Sequence, residues 1–181
     1  MFLFVAVETD GVGPCVTQTL IRVALVLTDE RLETLLLESC FVQGSKGLNS
    51  AVVPWYTLSQ VDNGLRRFDA GRWVGRRLEQ VLSSGGKVVA HNLEYVLTML
   101  TQLQLYVPSE DGVCTMKLGT PVCKLRSSLL STEKEYKYPK LGELHTCLLG
   151  TPSTVTWRTA EEKAYAVKQC YAELKKIKDM N

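Results

Sequence analysis

The sequence has no uninterrupted apolar run of the roughly 18 to 20 residues that a bilayer-spanning helix needs, so a membrane protein is not expected. Low-complexity tracts are also missing, and 45% hydrophobic residues against 22% charged ones exclude a disordered tail. Lys+Arg number 21 and Asp+Glu 19, so the net charge of +2 supplies no general field; any polyanion must be held by a local patch. The six cysteines, at 15, 40, 114, 123, 147 and 170, include no Cys-x-x-Cys pair, and only His91 and His145 could complete a metal site. Neither zinc spacing nor a compact disulfide framework fits; free thiols in a reducing, intracellular setting (cytoplasm or nucleus) are the expectation. No Gly-x-Ser-x-Gly elbow and no phosphate-cradling GxxxxGK run occur, which leaves serine hydrolysis and P-loop nucleotide hydrolysis without support. The apolar start Met1 to Val7 lacks a basic flank and is cut by Glu8, so it reads as a buried strand rather than a secretory leader.

What is present reads as one α/β domain over residues 1–181. Strands are predicted at 2–8, 17–28 and 34–42, joined by the Thr9-Asp10-Gly11-Val12-Gly13-Pro14 turn and an Asp29-Glu30 hairpin; a loop follows at 43–47. Apolar spacing over 59–84 predicts two helices broken near Asp69-Ala70-Gly71, stopped by Ser83-Ser84-Gly85-Gly86. A short strand at 87–92, a helix at 94–105 and a strand at 113–116 come next. Helices at 139–149, ending at Gly150, and at 159–177, with Thr159 as N-cap, complete the order. That order is a mixed five-stranded sheet, its first three strands antiparallel, with helices on both faces.

Two segments hold candidate chemistry. Residues two apart in a strand share a face, so Ala6, Glu8 and Asp10 line up if the first strand runs that far. Paired carboxylates at a strand mouth would begin a magnesium site; the ordinary alternative is a strand-end Glu before an Asp-Gly turn. The strand Val88-Val89-Ala90 delivers His91 and Asn92 to its C-terminal end beside Glu94, where open sheets usually bind ligands. Its ordinary alternative is a helix cap at Asn92 and a satisfied polar histidine.

Taken in order, the Glu8-Thr9-Asp10-Gly11 turn, the Val88-Val89-Ala90-His91-Asn92 strand, Cys114-Thr115-Met116-Lys117-Leu118, Lys137-Tyr138-Pro139-Lys140-Leu141 and the alanine-containing last helix resemble the DEDDh 3′–5′ exonucleases. That family includes the proofreading epsilon subunit of bacterial DNA polymerase III and has a ribonuclease H-like fold. The resemblance spans roughly residues 2 to 177 and implies four carboxylates on two divalent ions, with a histidine that helps activate water. Carried onto this chain, the first Asp-x-Glu motif leaves Ala6 at the Asp position and retains Glu8. The second motif places its Asp on Val96, after the aromatic Tyr95. The third places its Asp on Val167 and its His on Glu162, and residues 152 to 181 contain no histidine.

One catalytic group of five is therefore retained, and a single Glu does not hold Mg²⁺ against its hydration shell. The expectation is a catalytically degenerate exonuclease-like domain that needs no cofactor and serves nucleic-acid binding, protein interaction or both. The alternative is an active metal-dependent exonuclease in which Asp10, Glu94 and Glu161 or Glu162 join Glu8 around Mg or Mn; a third reading is a scaffold without nucleic acid. Arg72, Arg76 and Arg77, with Arg66, Arg67 and Lys87, are the candidate phosphate contacts, together with His91 and Asn92; a solvated basic helix face is the ordinary alternative. Trp55-Tyr56 and Tyr136 to Tyr138 read first as core or loop anchors, with base stacking as the second reading. The polar connection 126–138 is a place for partner contact, and the partners left open are a single nucleic-acid strand, another protein or a second copy.

Overall fold

The structure is a computed structural model and describes residues 1–11, 17–44, 56–126, 136–150, 152 and 156–179. Three antiparallel strands open the chain: β1 (Phe2–Thr9), β2 (Leu20–Thr28) and β3 (Thr34–Phe41). Helices α1 (Leu58–Asp62) and α2 (Arg67–Ser83) lead to β4 (Lys87–Ala90) and α3 (Leu93–Thr101). The short β5 (Gly112–Cys114) precedes α4 (Thr115–Cys123), α5 (Leu141–Leu149) and α6 (Ala160–Asp179). The sheet order is β3-β2-β1-β4-β5, with β4 parallel to β1 and β5 parallel to β4. This is the mixed sheet expected from the sequence, in the ribonuclease H-like arrangement.

β1 is central, which explains its nearly unbroken apolar run: a strand covered on both faces has no solvent side to make polar. Leu3 and Val5 pack with Ala70, Val74, Leu78 and Val81 of α2 and Val96, Met99 and Leu100 of α3. Phe4 and Ala6 face the other way, against Ala160, Ala164 and Val167 of α6. Alanines at 160 and 164 bring the α6 backbone close to the sheet, so the residues at the end of β1 lie directly under its first turns.

Three expectations need correction. The helical segment does not break at Asp69-Ala70-Gly71; α2 runs through it, and the break falls between Asp62 and Arg67. Gly71 is not a stop signal but a packing requirement, because a Cβ there would lie 2.6 Å from the Leu103 carbonyl oxygen. Thr115 and Met116 are helical rather than extended: they open α4, which was hidden because Pro121 sits inside it. Finally α5 starts at Leu141 rather than Pro139, where the Glu143 carboxylate accepts from the Lys140 backbone N–H at 2.8 Å.

The expected Val12-Gly13-Pro14 turn, loop residues 45–47, Trp55, Cys15 and residues 127–135 of the polar connection lie outside the described residues. The other five cysteines are free, and burial pushes the Cys40 and Cys170 thiols up to about 12. No helix of the described residues is long and apolar enough to cross a membrane.

Ala is normally the better helix former than Gly by about 1 kcal/mol. Gly71→Ala is nevertheless expected to destabilise the protein by roughly 1–3 kcal/mol, since the added methyl has nowhere to go. A urea unfolding curve would show this as a lower midpoint with an unchanged slope.

Candidate functional site

Glu8 is the second-last residue of β1 and points to the α6 face, yet it is only 4% exposed. A carboxylate so far from water needs strong partners. Lys163, in the first turn of α6, donates to its Oε1 at 2.7 Å, and the Tyr56 hydroxyl donates to its Oε2 at 2.6 Å. Burial, and then Glu8 itself, push the Tyr56 phenol upward, so it remains a donor across the ordinary pH range.

A second ion pair adjoins this one. Arg22 lies directly across the β1–β2 ladder from Glu8, and its guanidinium stacks 4.5 Å from the Phe41 ring and 4.9 Å from the Tyr56 ring. It binds the Glu161 carboxylate, which also accepts from the Ser39 hydroxyl. Two cations, Lys163 and Arg22, thus balance two anions, Glu8 and Glu161, beneath the start of α6. The cluster is electrically closed.

Beside it lies a cavity of about 260 Å³, walled by Ala6, Val96, Val167, His91, Trp157 and Lys163, among others. The three positions expected to carry carboxylates in an exonuclease of the resembled family, Ala6, Val96 and Val167, therefore do converge, from β1, α3 and α6. They converge as methyl groups. Among the described residues, the only charged side chain that lines the cavity is a lysine. Such a donor set does not fit divalent ions, which want several oxygen ligands and no neighbouring ammonium. Among the described residues no group of three or more His, Cys, Asp or Glu is placed to hold a metal.

Of the substitute carboxylates, Glu161 does join the cluster of Glu8, but as the ion-pair partner of Arg22; Asp10, Glu94 and Glu162 lie elsewhere. The strand ends at Thr9 with a register slip after Glu8, and Asp10 instead closes the turn by accepting from the Thr19 backbone N–H at 2.8 Å. Glu94 is exposed in the first turn of α3 and lines a different, larger groove. Glu162 is occupied at the helix start: it accepts from the Thr159 N–H at 3.2 Å while Thr159 Oγ1 accepts from the Glu162 N–H at 3.3 Å, a reciprocal cap.

His91 lies at the end of β4 and lines the cavity, with both ring nitrogens engaged, Nδ1 to the Thr115 hydroxyl and Nε2 to the Pro139 carbonyl, each at 3.1 Å. The carbonyl can only accept, so Nε2 carries the proton and Nδ1 accepts from Thr115. Burial lowers the His91 pKa to about 4, against a smaller upward effect from the Pro139 carbonyl. His91 is thus a brace between β4, α4 and the approach to α5. Asn92 is exposed and stands at the N-cap position of α3, as considered from the sequence, but in a left-handed conformation, φ 57°, and without a side-chain cap hydrogen bond. Arg72 and Arg76 lie on the outer side of α2, across the sheet from Glu8, and Arg77 is tied to Glu38 at 3.1 Å.

Lys163, Tyr56, Arg22 and Trp157 were not singled out as site residues from the sequence. Lys163 had a signal: it stands four residues before Val167, hence on the same helix face and one turn away. Tyr56 is a core anchor, as its first reading had it, while Tyr138 is 58% exposed. The larger groove, about 1410 Å³, runs between α3, β5, α4 and the end of α6, a convergence no local pattern announces.

No protein-family model and no curated protein matches this sequence. Solved structures do match by shape. E. coli exonuclease I in complex with a dT13 oligonucleotide superimposes with a TM-score of 0.72 at 14% identity, over 99% of this chain and 42% of that one. The zinc-bound E. coli exonuclease I–ssDNA complex gives 0.74 at 14% identity over 99% and 41%, and an apo exonuclease I gives 0.71 at 13% over 97% and 42%. The chain spans about two-fifths of the length of these proteins, and the likeness establishes the fold.

Two outcomes follow from the cluster. Lys163→Met leaves a buried carboxylate with one neutral donor and is expected to cost about 3 kcal/mol. Adding Glu8→Gln to it is expected to recover at least half of that loss, a non-additivity read from a double-mutant cycle in urea. For His91, the folded pKa lies below the unfolded value of about 6.5, so its contribution is full above that pH and is lost as pH falls toward 4. Stability of the wild type should decline by roughly 2 kcal/mol more than that of His91→Gln between these two pH values, measured as unfolding midpoints.

Proposed function

We propose that this domain holds a single nucleic-acid strand at the C-terminal ends of β1 and β4 and does not cut it, working without a bound metal ion. The observation that carries this reading is the Lys163 ammonium 2.7 Å from Glu8, the one retained carboxylate, beside a cavity walled by Ala6, Val96 and Val167. Hydrolysis by the two-ion route needs a concentration of negative charge that draws cations and then stabilises the entering and leaving oxygens. Here the nearest negative charge is already spent on a lysine, and apolar side chains fill the other ligand positions. Preorganised charge supplies most of the rate in such reactions, so its loss leaves turnover near background.

Support for binding is of two kinds. The ordered motifs of the sequence resemble exonucleases, and the structural neighbours named above include complexes with oligonucleotides and single-stranded DNA. The cavity itself is lined by Trp157 and Tyr95, aromatic side chains of the kind that stack on an unpaired base. Arg72 and Arg76 would extend a charged track along α2 only for a strand that wraps the sheet, so the cavity is the primary contact.

The test is fluorescence anisotropy with labelled single-stranded DNA and RNA over a salt series, alongside gels of the same strands incubated with Mg²⁺ or Mn²⁺. Binding that contacts phosphates gives a negative log–log salt slope, roughly −0.7 for each phosphate contacted on a single strand. Trp157→Ala should weaken it by about tenfold, the lower half of the ~1–3 kcal/mol typical of one stacked base. The gels should show intact strands. Metal-dependent shortening that Glu8→Ala abolishes would establish the enzyme instead, and salt-insensitive or absent binding would leave a protein scaffold.

A further inference from the structure

Three of the free cysteines gather where three helices meet. Cys123 is the last residue of α4, Cys147 lies in α5 and Cys170 in α6. Cys123 and Cys170 belong to the small apolar cluster of Leu144 and Leu174 that joins these helices. The other two described cysteines lie elsewhere: Cys40 is in β3, and the Cys114 sulfur accepts from the Leu93 N–H at 3.5 Å.

A glycine sets the approach of α4 to α5. A Cβ on Gly119 would stand 2.4 Å from Leu144 Cδ1, so Leu144 fills the space that a side chain at 119 would take. Cys123 comes four residues after Gly119, and Cys147 three residues after Leu144. Each thiol therefore lies on the contact face of its own helix, one turn past the crossing. There the Cys147 thiol is in hydrogen-bond contact with that of Cys123, and Cys170 is close to both.

Buried cysteines pack as small apolar groups and stay inert. Cys170 fits that description, being fully buried. Cys147 does not: it is exposed, with the half-buried Cys123 beside it. An exposed thiol next to a second one turns oxidation into a disulfide, a reversible product, before the irreversible acids can form. The chain can also close the remaining gap between the sulfurs. Cys123 ends α4, and the next residue, Lys124, is left-handed at φ 49°, so the part that must shift is a helix end, where helices fray.

We propose that Cys123 and Cys147 are a reversible modification site, which a small-molecule disulfide such as oxidised glutathione converts to a bond between α4 and α5. The Cys147 thiolate, the exposed partner, attacks one sulfur of the glutathione disulfide. That S–S bond breaks, a mixed disulfide forms on Cys147, and one glutathione leaves as thiolate. Cys123 gives its proton to water and attacks Cys147 Sγ, expelling the second glutathione. Two protein thiols thus lose two electrons and two protons, and one glutathione disulfide becomes two glutathione thiols. Burial pushes the Cys123 thiol up to about 12, with Cys147, Cys170 and the Glu143 carboxylate adding to the effect. The second step is therefore the slow one, and it quickens as pH rises.

The test treats the folded full chain with oxidised glutathione, alkylates the remaining thiols and digests it with trypsin for mass spectrometry. Trypsin separates the three cysteines onto the fragments 118–124, 141–158 and 169–175. Fragments 118–124 and 141–158 should appear joined, and dithiothreitol should part them. The joining rate should rise by about tenfold per pH unit between pH 7 and 8, as expected of a resolving thiol far below its pKa. Cys123→Ser should stop at the Cys147 mixed disulfide, and Cys147→Ser should give no joined fragments. The oxidised wild type should unfold at a higher urea concentration than the reduced one, since the bond constrains the unfolded chain. Mixed disulfides alone, a bond from Cys147 to Cys170 instead, or a lower urea midpoint on oxidation overturns the proposal.

Discussion

The burial of the Glu8 carboxylate governs the rest of this site. A charge that is 4% exposed at the end of a central strand would be intolerable without partners, and here it has an ammonium and a phenol in hydrogen-bond contact. Those partners set what else can happen nearby. Lys163 must sit in the first turn of α6, which in turn must approach the sheet closely, and Ala160 and Ala164 make that approach sterically possible. Tyr56 must be brought in from the connection after β3, where it packs edge-on against Phe41 at 5.1 Å. The tertiary structure around the end of β1 is arranged to neutralise one anion.

The same arrangement explains why apolar side chains are stable at Ala6, Val96 and Val167. In a site holding cations, carboxylates at those positions would be compensated by the ions. With Lys163 the only positive charge lining the cavity among the described residues, and already paired to Glu8, added carboxylates would be buried without compensation. The lysine and the three apolar residues are thus physically linked: each makes the other tolerable. His91 fits the same logic, since an imidazole kept neutral by burial and held at both nitrogens adds no charge to the balance.

The order of strands and helices was legible because β1, β2 and β3 are apolar runs separated by turn residues, and α6 carries both a capping pair at Thr159 and Glu162 and a continuous apolar stripe. Misreadings arose where a residue served packing rather than punctuation. Gly71 looked like a helix break but admits the Leu103 carbonyl, and Thr115 and Met116, read as the end of a strand, open a helix that carries Pro121 near its last turn. Asp10, Glu94 and Glu161 or Glu162 lie close in sequence to the positions of the family motifs, yet Asp10, Glu94 and Glu162 are committed elsewhere by local geometry, to a turn, an exposed helix start and a cap, and Glu161 is held by Arg22.

Sequence by itself determined the order of strands and helices and the apolar character of positions 6, 96 and 167, because strand and helix periodicities are local and a residue's identity does not depend on conformation. What surrounds Glu8 was decided only in three dimensions. Lys163 and Tyr56 are 155 and 48 residues from Glu8, so their pairing with it depends on where α6 and the segment after β3 come to rest on the sheet. Long-range ion pairs leave no periodic trace along a chain, and the balance of charge in a buried site exists only once the elements that carry the charges have packed.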